Sequence, residues 1–150
     1  MGQSLVQNYL HIVFSTKHRK KLIHPPYDKE LYAYLAGTCN ELACPALKVS
    51  GYQNHVHILC RLSPRIALAD LMMKLKANSS KWYKTKHESL HDFFWQNGYG
   101  AFSVSRSHVE RVSAYIENQE EHHRQKTFQE EYRTFLEKYN VEYDERYVWD

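Results

Sequence analysis

Along NYLHIVFST, residues 8–16, apolar and polar positions alternate. Leu10, Ile12 and Phe14 fall on one side, and Tyr9, His11, Val13 and Ser15 on the other. A period of two predicts a half-buried strand. The same period returns in residues 55–62, where Val56, Ile58, Cys60 and Leu62 share one face and His55, His57, Leu59 and Arg61 the other. Between them, KHRKKLIHPP reads as a basic loop whose Pro25-Pro26 suits a helix start. Leu31, Leu35 and Leu42 recur near helical spacing over 27–43. CPALKVSGY then reads as a short strand that turns at 51–54 into the next one.

Ser63-Pro64 opens a second helix over about 66–85, with Leu68, Leu71, Met72 and Leu75 facing inward. DFFWQNGYGAFSVSR predicts an aromatic hairpin around Asn97-Gly98, because Asn and Gly accept the positive φ of such turns. A further helix starts near Ser107, whose hydroxyl can cap it with Glu110 three residues on. A short helix covers about 127–139, and the tail VEYDERYVWD packs by its aromatics. The order is β-α-β-β-α-β followed by C-terminal helices. That is an α+β, ferredoxin-like (split βαβ, RRM-like) antiparallel sheet with two helices on one face. Those helices account for the apolar side of each strand. They leave His11, His55, His57 and Arg61 on the opposite face without an explanation.

Composition narrows the setting. The 150 residues suit one domain, with a body at 1–107 and a C-terminal segment at 108–150. A make-up of 43% hydrophobic and 25% charged residues is that of an ordinary globular chain. No apolar run reaches the roughly 18 residues of a membrane span. The N-terminus lacks a signal pattern, and Val6 departs from the Met-Gly acylation motif. Cys39, Cys44 and Cys60 have no metal spacing and read as reduced thiols, which points to the cytoplasm. The net charge of +3 conceals an asymmetry: 14 Lys+Arg against 6 Asp+Glu in residues 1–107, and 6 against 11 in 108–150. A basic body suggests a polyanionic partner.

Two imidazoles two residues apart on a strand aim the same way, so His55 and His57 can converge on one divalent ion while Val56 anchors the strand. A wet sheet face with two polar residues is the bland alternative. Tyr115 and Gln119 are four apart in SAYIENQEEHH and project together from a helix. The Gln119 amide oxygen is a hard neutral ligand, and Tyr115 would sit beside whatever the metal holds. Twelve tyrosines compete for any such role; Tyr132, Tyr139, Tyr143 and Tyr147 read as packing residues. His122 and His123, at i+3 and i+4 from Gln119, can approach the same place, and His11 has a structural role.

His55-Val56-His57 on a strand, with Tyr115-x-x-x-Gln119 on a later helix, resembles the single-tyrosine HUH transposases of small bacterial insertion sequences. That family also includes REP-associated tyrosine transposases. The likeness runs from the opening strand to the YIENQEEHH helix. It implies that His55, His57 and Gln119 hold Mg²⁺ or Mn²⁺, and that Tyr115 is the nucleophile. A C-terminal helix would carry it; His122 and His123, by their position after Gln119 alone, are candidates to stand behind the ligands. It further implies nicking and rejoining of single-stranded DNA at hairpin-bearing ends through a 5′-phosphotyrosine. The protein would be a homodimer with composite, trans-assembled sites, in a bacterial or archaeal cytoplasm near the nucleoid. Lys17, Arg19 and Lys20 in the basic loop, and Lys74, Asn78 and Lys81 on one face of the second helix, are the expected phosphate contacts. The competing readings are a non-catalytic hairpin DNA/RNA-binding module, since the same fold serves RNA recognition, and a domesticated hairpin-processing nuclease or strand transferase.

Overall fold

Four strands give the computed structural model, which describes residues 2–150, its frame: β1 Tyr9–Ser15, β2 Ala46–Tyr52, β3 His55–Arg61 and β4 Gly100–Val104. Their spatial order is β2-β3-β1-β4, with every pairing antiparallel. Helices α1 (Asp28–Glu41) and α2 (Leu68–Tyr83) complete the β-α-β-β-α-β order, so the fold is ferredoxin-like. Leu10, Ile12 and Phe14 from β1 and Val56, Ile58 and Cys60 from β3 meet Leu31, Leu35, Leu71, Met72 and Leu75 in the principal core. Cys39, Cys44 and Cys60 are buried free thiols. Among the described residues no helix is long and apolar enough to cross a membrane.

The second sheet face is covered as well, so β1 is buried along its whole length rather than half-buried. Helices α3 (Val109–Glu117), α4 (Gln119–His122) and α5 (Phe128–Lys138) lie over it. Val109 and Ile116 pack on Tyr9, Leu59 and Val104. Phe128, Tyr132 and Leu136 pack on Val13 and Phe102. Thr127 and Glu130 form a capping box that starts α5. That start sets the helix phase: Phe128, Glu131, Tyr132 and Leu136 turn inward, so one carboxylate enters an otherwise apolar stripe.

Three local expectations are corrected. Asn97-Gly98 does not close a hairpin. Phe93 and Trp95 are buried against α2, Trp95 makes only an isolated bridge to Thr16, and the Lys76 ammonium binds the carbonyls of Gln96, Asn97 and Gly98 at 2.6–3.0 Å. A distant cation thus fixes the segment that its local turn signal assigned to a hairpin. Ser107 does not cap α3; it lies inside a single 3-10 turn, Arg106–His108, and Glu110 pairs with Arg106 at 2.9 Å. The tail packs through Val148 and Trp149, whereas Tyr143 and Tyr147 face solvent.

Candidate active site

The turn between β2 and β3 is tight enough that Gly51 lies against the His55 carbonyl, where a Cβ would collide. β3 then pairs on both edges, Gly51 opposite Val56 and Ser15 opposite His55. His55 and His57 are therefore fixed on the face beneath α3–α5, both fully buried. His11 on β1 stands behind His57, Nε2 to Nδ1 at 2.8 Å. Asn54 stands behind His55, Oδ1 to Nδ1 at 2.9 Å.

From the other side come α3, α4 and α5. The helix carrying Tyr115 breaks at Asn118, so Tyr115 and Gln119 sit on consecutive helices rather than on one. The Asn118 amide still bonds back to Ala114 and Tyr115, and the one-turn relation survives. Gln119 Oε1 is 3.0 Å from His55 Nε2, and Glu131 Oε1 is 3.0 Å from His57 Nε2. The same Glu131 oxygen is 3.4 Å from His55 Nε2. The Tyr115 hydroxyl donates to Glu131 Oε2, and Gln119 Nε2 donates to the same oxygen at 3.4 Å. His123 closes the ring, with Nε2 3.1 Å from Gln119 Oε1 and 3.3 Å from Glu131 Oε1. His122 stacks on Tyr115 at 4.4 Å, and its buried Nε2 has no hydrogen-bond partner among the described residues.

The electrostatics follow from burial. Loss of water drives His55 down to about 4 and His11 to about 3, so both imidazoles are neutral. Burial raises Tyr115 well above its ordinary value, and the adjacent Glu131 carboxylate raises it further. Glu131 itself is held far below the carboxylate range: burial opposes its charge, but His57, His123 and His55 outweigh it. Burial also opposes charge on His123, yet Glu131 leaves it above the ordinary imidazole value.

This donor set fits a hard divalent cation. With Asn54 Oδ1 as acceptor, His55 donates from Nδ1 and turns the lone pair of Nε2 inward. There it meets two further lone-pair atoms, Gln119 Oε1 and Glu131 Oε1, at 3.0–3.4 Å with no proton to share. An octahedral ion with bonds of about 2.1 Å has cis edges of about 3 Å. The ligand atoms of His55, His57 and Glu131 all lie within 4.8 Å of one another. Asn54 and His11 are the outer partners that orient such ligands.

A 550 Å³ cleft opens from the His55 side, lined by His18, Arg19 and Lys21 of the basic loop and by Tyr52, Arg124 and Lys126. Of the expected phosphate contacts, Arg19 lines it; Lys17 is exposed outside it, and Lys20 pairs with Asp92 at 2.8 Å. Lys74, Asn78 and Lys81 are exposed on α2, the layer on the far side of the sheet. His123 joins the cluster directly, and His11 touches it through His57.

The profile of a known family, Transposase IS200 like, matches residues 4–119. This chain belongs to the IS200-like transposase family. Two transposases for insertion sequence element IS200, from Salmonella typhimurium and Salmonella typhi, are each 24% identical over 114 residues, 73% of this chain and 74% of theirs. Solved structures share the fold. A Deinococcus radiodurans R1 protein provisionally described as a transposase superposes with a TM-score of 0.62 at 20% identity, covering 79% of this chain and 96% of that one. A REP-associated tyrosine transposase solved bound to a REP hairpin gives 0.57 at 12% identity, covering 82% and 73%. In this family member the matched segment stops at Gln119, so Glu131 lies beyond it. Glu131 in the cluster and Asn54 behind His55 were both missed in the sequence; the signal for Glu131 was an acidic residue in the Phe128–Tyr132–Leu136 stripe.

Proposed function

We propose that the protein nicks and rejoins single-stranded DNA at hairpin-bearing ends, with Tyr115 as nucleophile and His55, His57 and Gln119 holding Mg²⁺ or Mn²⁺. Glu131 joins them as a charged oxygen ligand. The observation that carries this reading is convergence: two imidazoles, an amide and a phenol from separate segments meet on one carboxylate. A divalent cation there supplies Lewis-acid polarisation of a phosphate oxygen.

The chain's own groups do the rest. Tyr115 oxygen attacks phosphorus, the P–O3′ bond breaks, and a 5′-phosphotyrosine and a free 3′-OH result. The phenol hydrogen-bonds Glu131 Oε2 before attack and gives up its proton to solvent as the bond to phosphorus forms, and the departing 3′-oxygen takes a proton from solvent. The bond made is again a phosphodiester, so attack by another 3′-OH rejoins DNA without an external energy source. His122, stacked on the ring, limits its rotation. The relative solved with a REP hairpin supports hairpin DNA as the partner.

Incubation with end-labelled hairpin single strands and Mg²⁺ or Mn²⁺ tests this. A covalent protein–DNA band is expected, absent in Tyr115→Phe; a band that persists in that variant sinks the proposal. Tyr115 reaches the His pair of its own chain, which favours a site built in cis over the expected trans arrangement within a homodimer. In that case, mixing Tyr115→Phe with His57→Ala subunits restores no cleavage, and recovery reinstates the trans site.

A further inference from the structure

Residues 108–150 are acidic overall, and three of their six cations are neutralised nearby: Arg124 by Glu121, Arg133 by Glu145 and Arg146 by Asp144. Arg111, Lys126 and Lys138 make no ion pair among the described residues. All three line one 270 Å³ cavity on the flank of Tyr115 and Glu131. Its floor is apolar, made of Val112, Phe135 and Tyr139, each only partly buried. Phe135 is held upright by edge contacts to His11 at 5.1 Å and to Tyr115 at 5.8 Å. Unpaired cations around an aromatic floor, in a segment whose other three cations are all ion-paired, complement a flat apolar group carrying a phosphate.

Geometry decides which nucleotide. In phosphoryl transfer the attacking and leaving oxygens lie in line, on opposite sides of phosphorus. The leaving 3′ strand must therefore depart away from Tyr115. The 550 Å³ cleft meets that need, because it ends at Asn54 and His123, which bond His55 and Gln119, and does not touch Tyr115. The nucleoside that stays on the phosphate through its 5′-oxygen emerges to the side of that line, within covalent reach of the phenol. The 270 Å³ cavity is lined by Tyr115 itself, and Lys126 lines both spaces.

We propose that this cavity is the subsite for the nucleotide retained on Tyr115, with Arg111, Lys126 and Lys138 binding its phosphates and Phe135 and Tyr139 taking its base. The proposal rests on the strand-transfer reading above. In the step concerned, the bond from Tyr115 oxygen to phosphorus forms, P–O3′ breaks, and the 5′-linked nucleotide remains seated while the 3′-OH strand is free to exchange.

NMR titration of the full chain with two thymidine dinucleotides, one phosphorylated at the 5′ end and one at the 3′ end, tests it. The 5′-phosphorylated probe is expected to bind about tenfold tighter. The double variant Arg111→Gln/Lys138→Gln, altered only at exposed positions, is expected to erase that preference with an unchanged thermal midpoint. Equal affinity for the two probes, binding of neither, or a preference that survives the double variant overturns the subsite. The covalent-band assay on the same preparation separates the two claims. A band without 5′ preference removes the subsite and leaves the enzyme; a 5′ preference without a band leaves a 5′-phosphate-binding cavity but overturns both the strand transfer and the retained nucleotide.

Discussion

β1 and β3 present two faces that are equally dry and otherwise unlike. On one, Leu10, Ile12, Phe14, Val56, Ile58 and Cys60 meet the hydrocarbon of α1 and α2. On the other, His11, His55 and His57 meet a carboxylate, an amide and a phenol from α3–α5. The first face is held by removal of apolar area from water, which has no direction and tolerates small shifts. The second has apolar packing of its own, Tyr9, Leu59, Val13 and Phe102 against α3 and α5, and adds directed bonds in a medium where an unpaired polar group is costly. One sheet thus carries a purely apolar layer on one side and a layer with a polar cluster on the other, and the C-terminal helices complete the second.

The sharpest way to break this division pairs Glu131→Ala with Ile58→Ala. Removing the carboxylate is expected to lower covalent-band formation by about 10–100-fold. The missing bonds to His57, His123 and Tyr115 cost about 1–3 kcal/mol of stability. Ile58→Ala is expected to cost about 2–5 kcal/mol of stability through its cavity and to leave band formation per folded molecule unchanged. Denaturant titration beside the band assay reads both quantities. Parallel losses in the two variants would mean that the faces are not energetically separate.

Acid should act on the histidine face first. Burial depresses His11 to about 3 and His55 to about 4, from 6.5, so the unfolded chain takes up those protons before the folded one. Their contribution is complete above pH 6.5 and declines as pH falls toward 4, by about 1.4 kcal/mol per unit for each group. His123, raised by Glu131, contributes in the opposite sense and offsets part of this. Metal-free protein is therefore expected to be about 2 kcal/mol less stable at pH 5 than at pH 7. Equal unfolding midpoints at the two pH values would show that the imidazoles are not held neutral.

The same contrast explains what could be read from the chain. Strand alternation is local, so the two faces of β1 and β3 were legible, as were α1 and α2 and the β-α-β-β-α-β order. The one-turn relation of Tyr115 to Gln119 was legible too, and it outlasts the helix break at Asn118. Glu131 was not, because its entry depends on how the turn at 123–127 folds α5 back over the sheet, and no period encodes that return. The Asn97-Gly98 segment failed for a similar reason: three of its carbonyls are taken by Lys76, about twenty residues upstream. Short-range signals specify faces; the groups that cross between elements decide the site.

The smallest expected effect concerns where DNA lies relative to the two layers. Arg19 and Lys21 line the cleft beside the histidines, whereas Lys74 and Lys81 are exposed on α2, across the sheet. A strand threading the cleft passes Arg19 and Lys21 directly. It can meet α2 only if the hairpin stem wraps the sheet edge. Each cation withdrawn from a single-strand phosphate reduces the slope of log K against log salt by about 0.7. Arg19→Gln/Lys21→Gln is therefore expected to flatten the slope for hairpin DNA by about 1.4, and Lys74→Gln/Lys81→Gln by less. The opposite ranking would move the DNA path to the α1–α2 layer and leave the cleft to serve only the scissile strand.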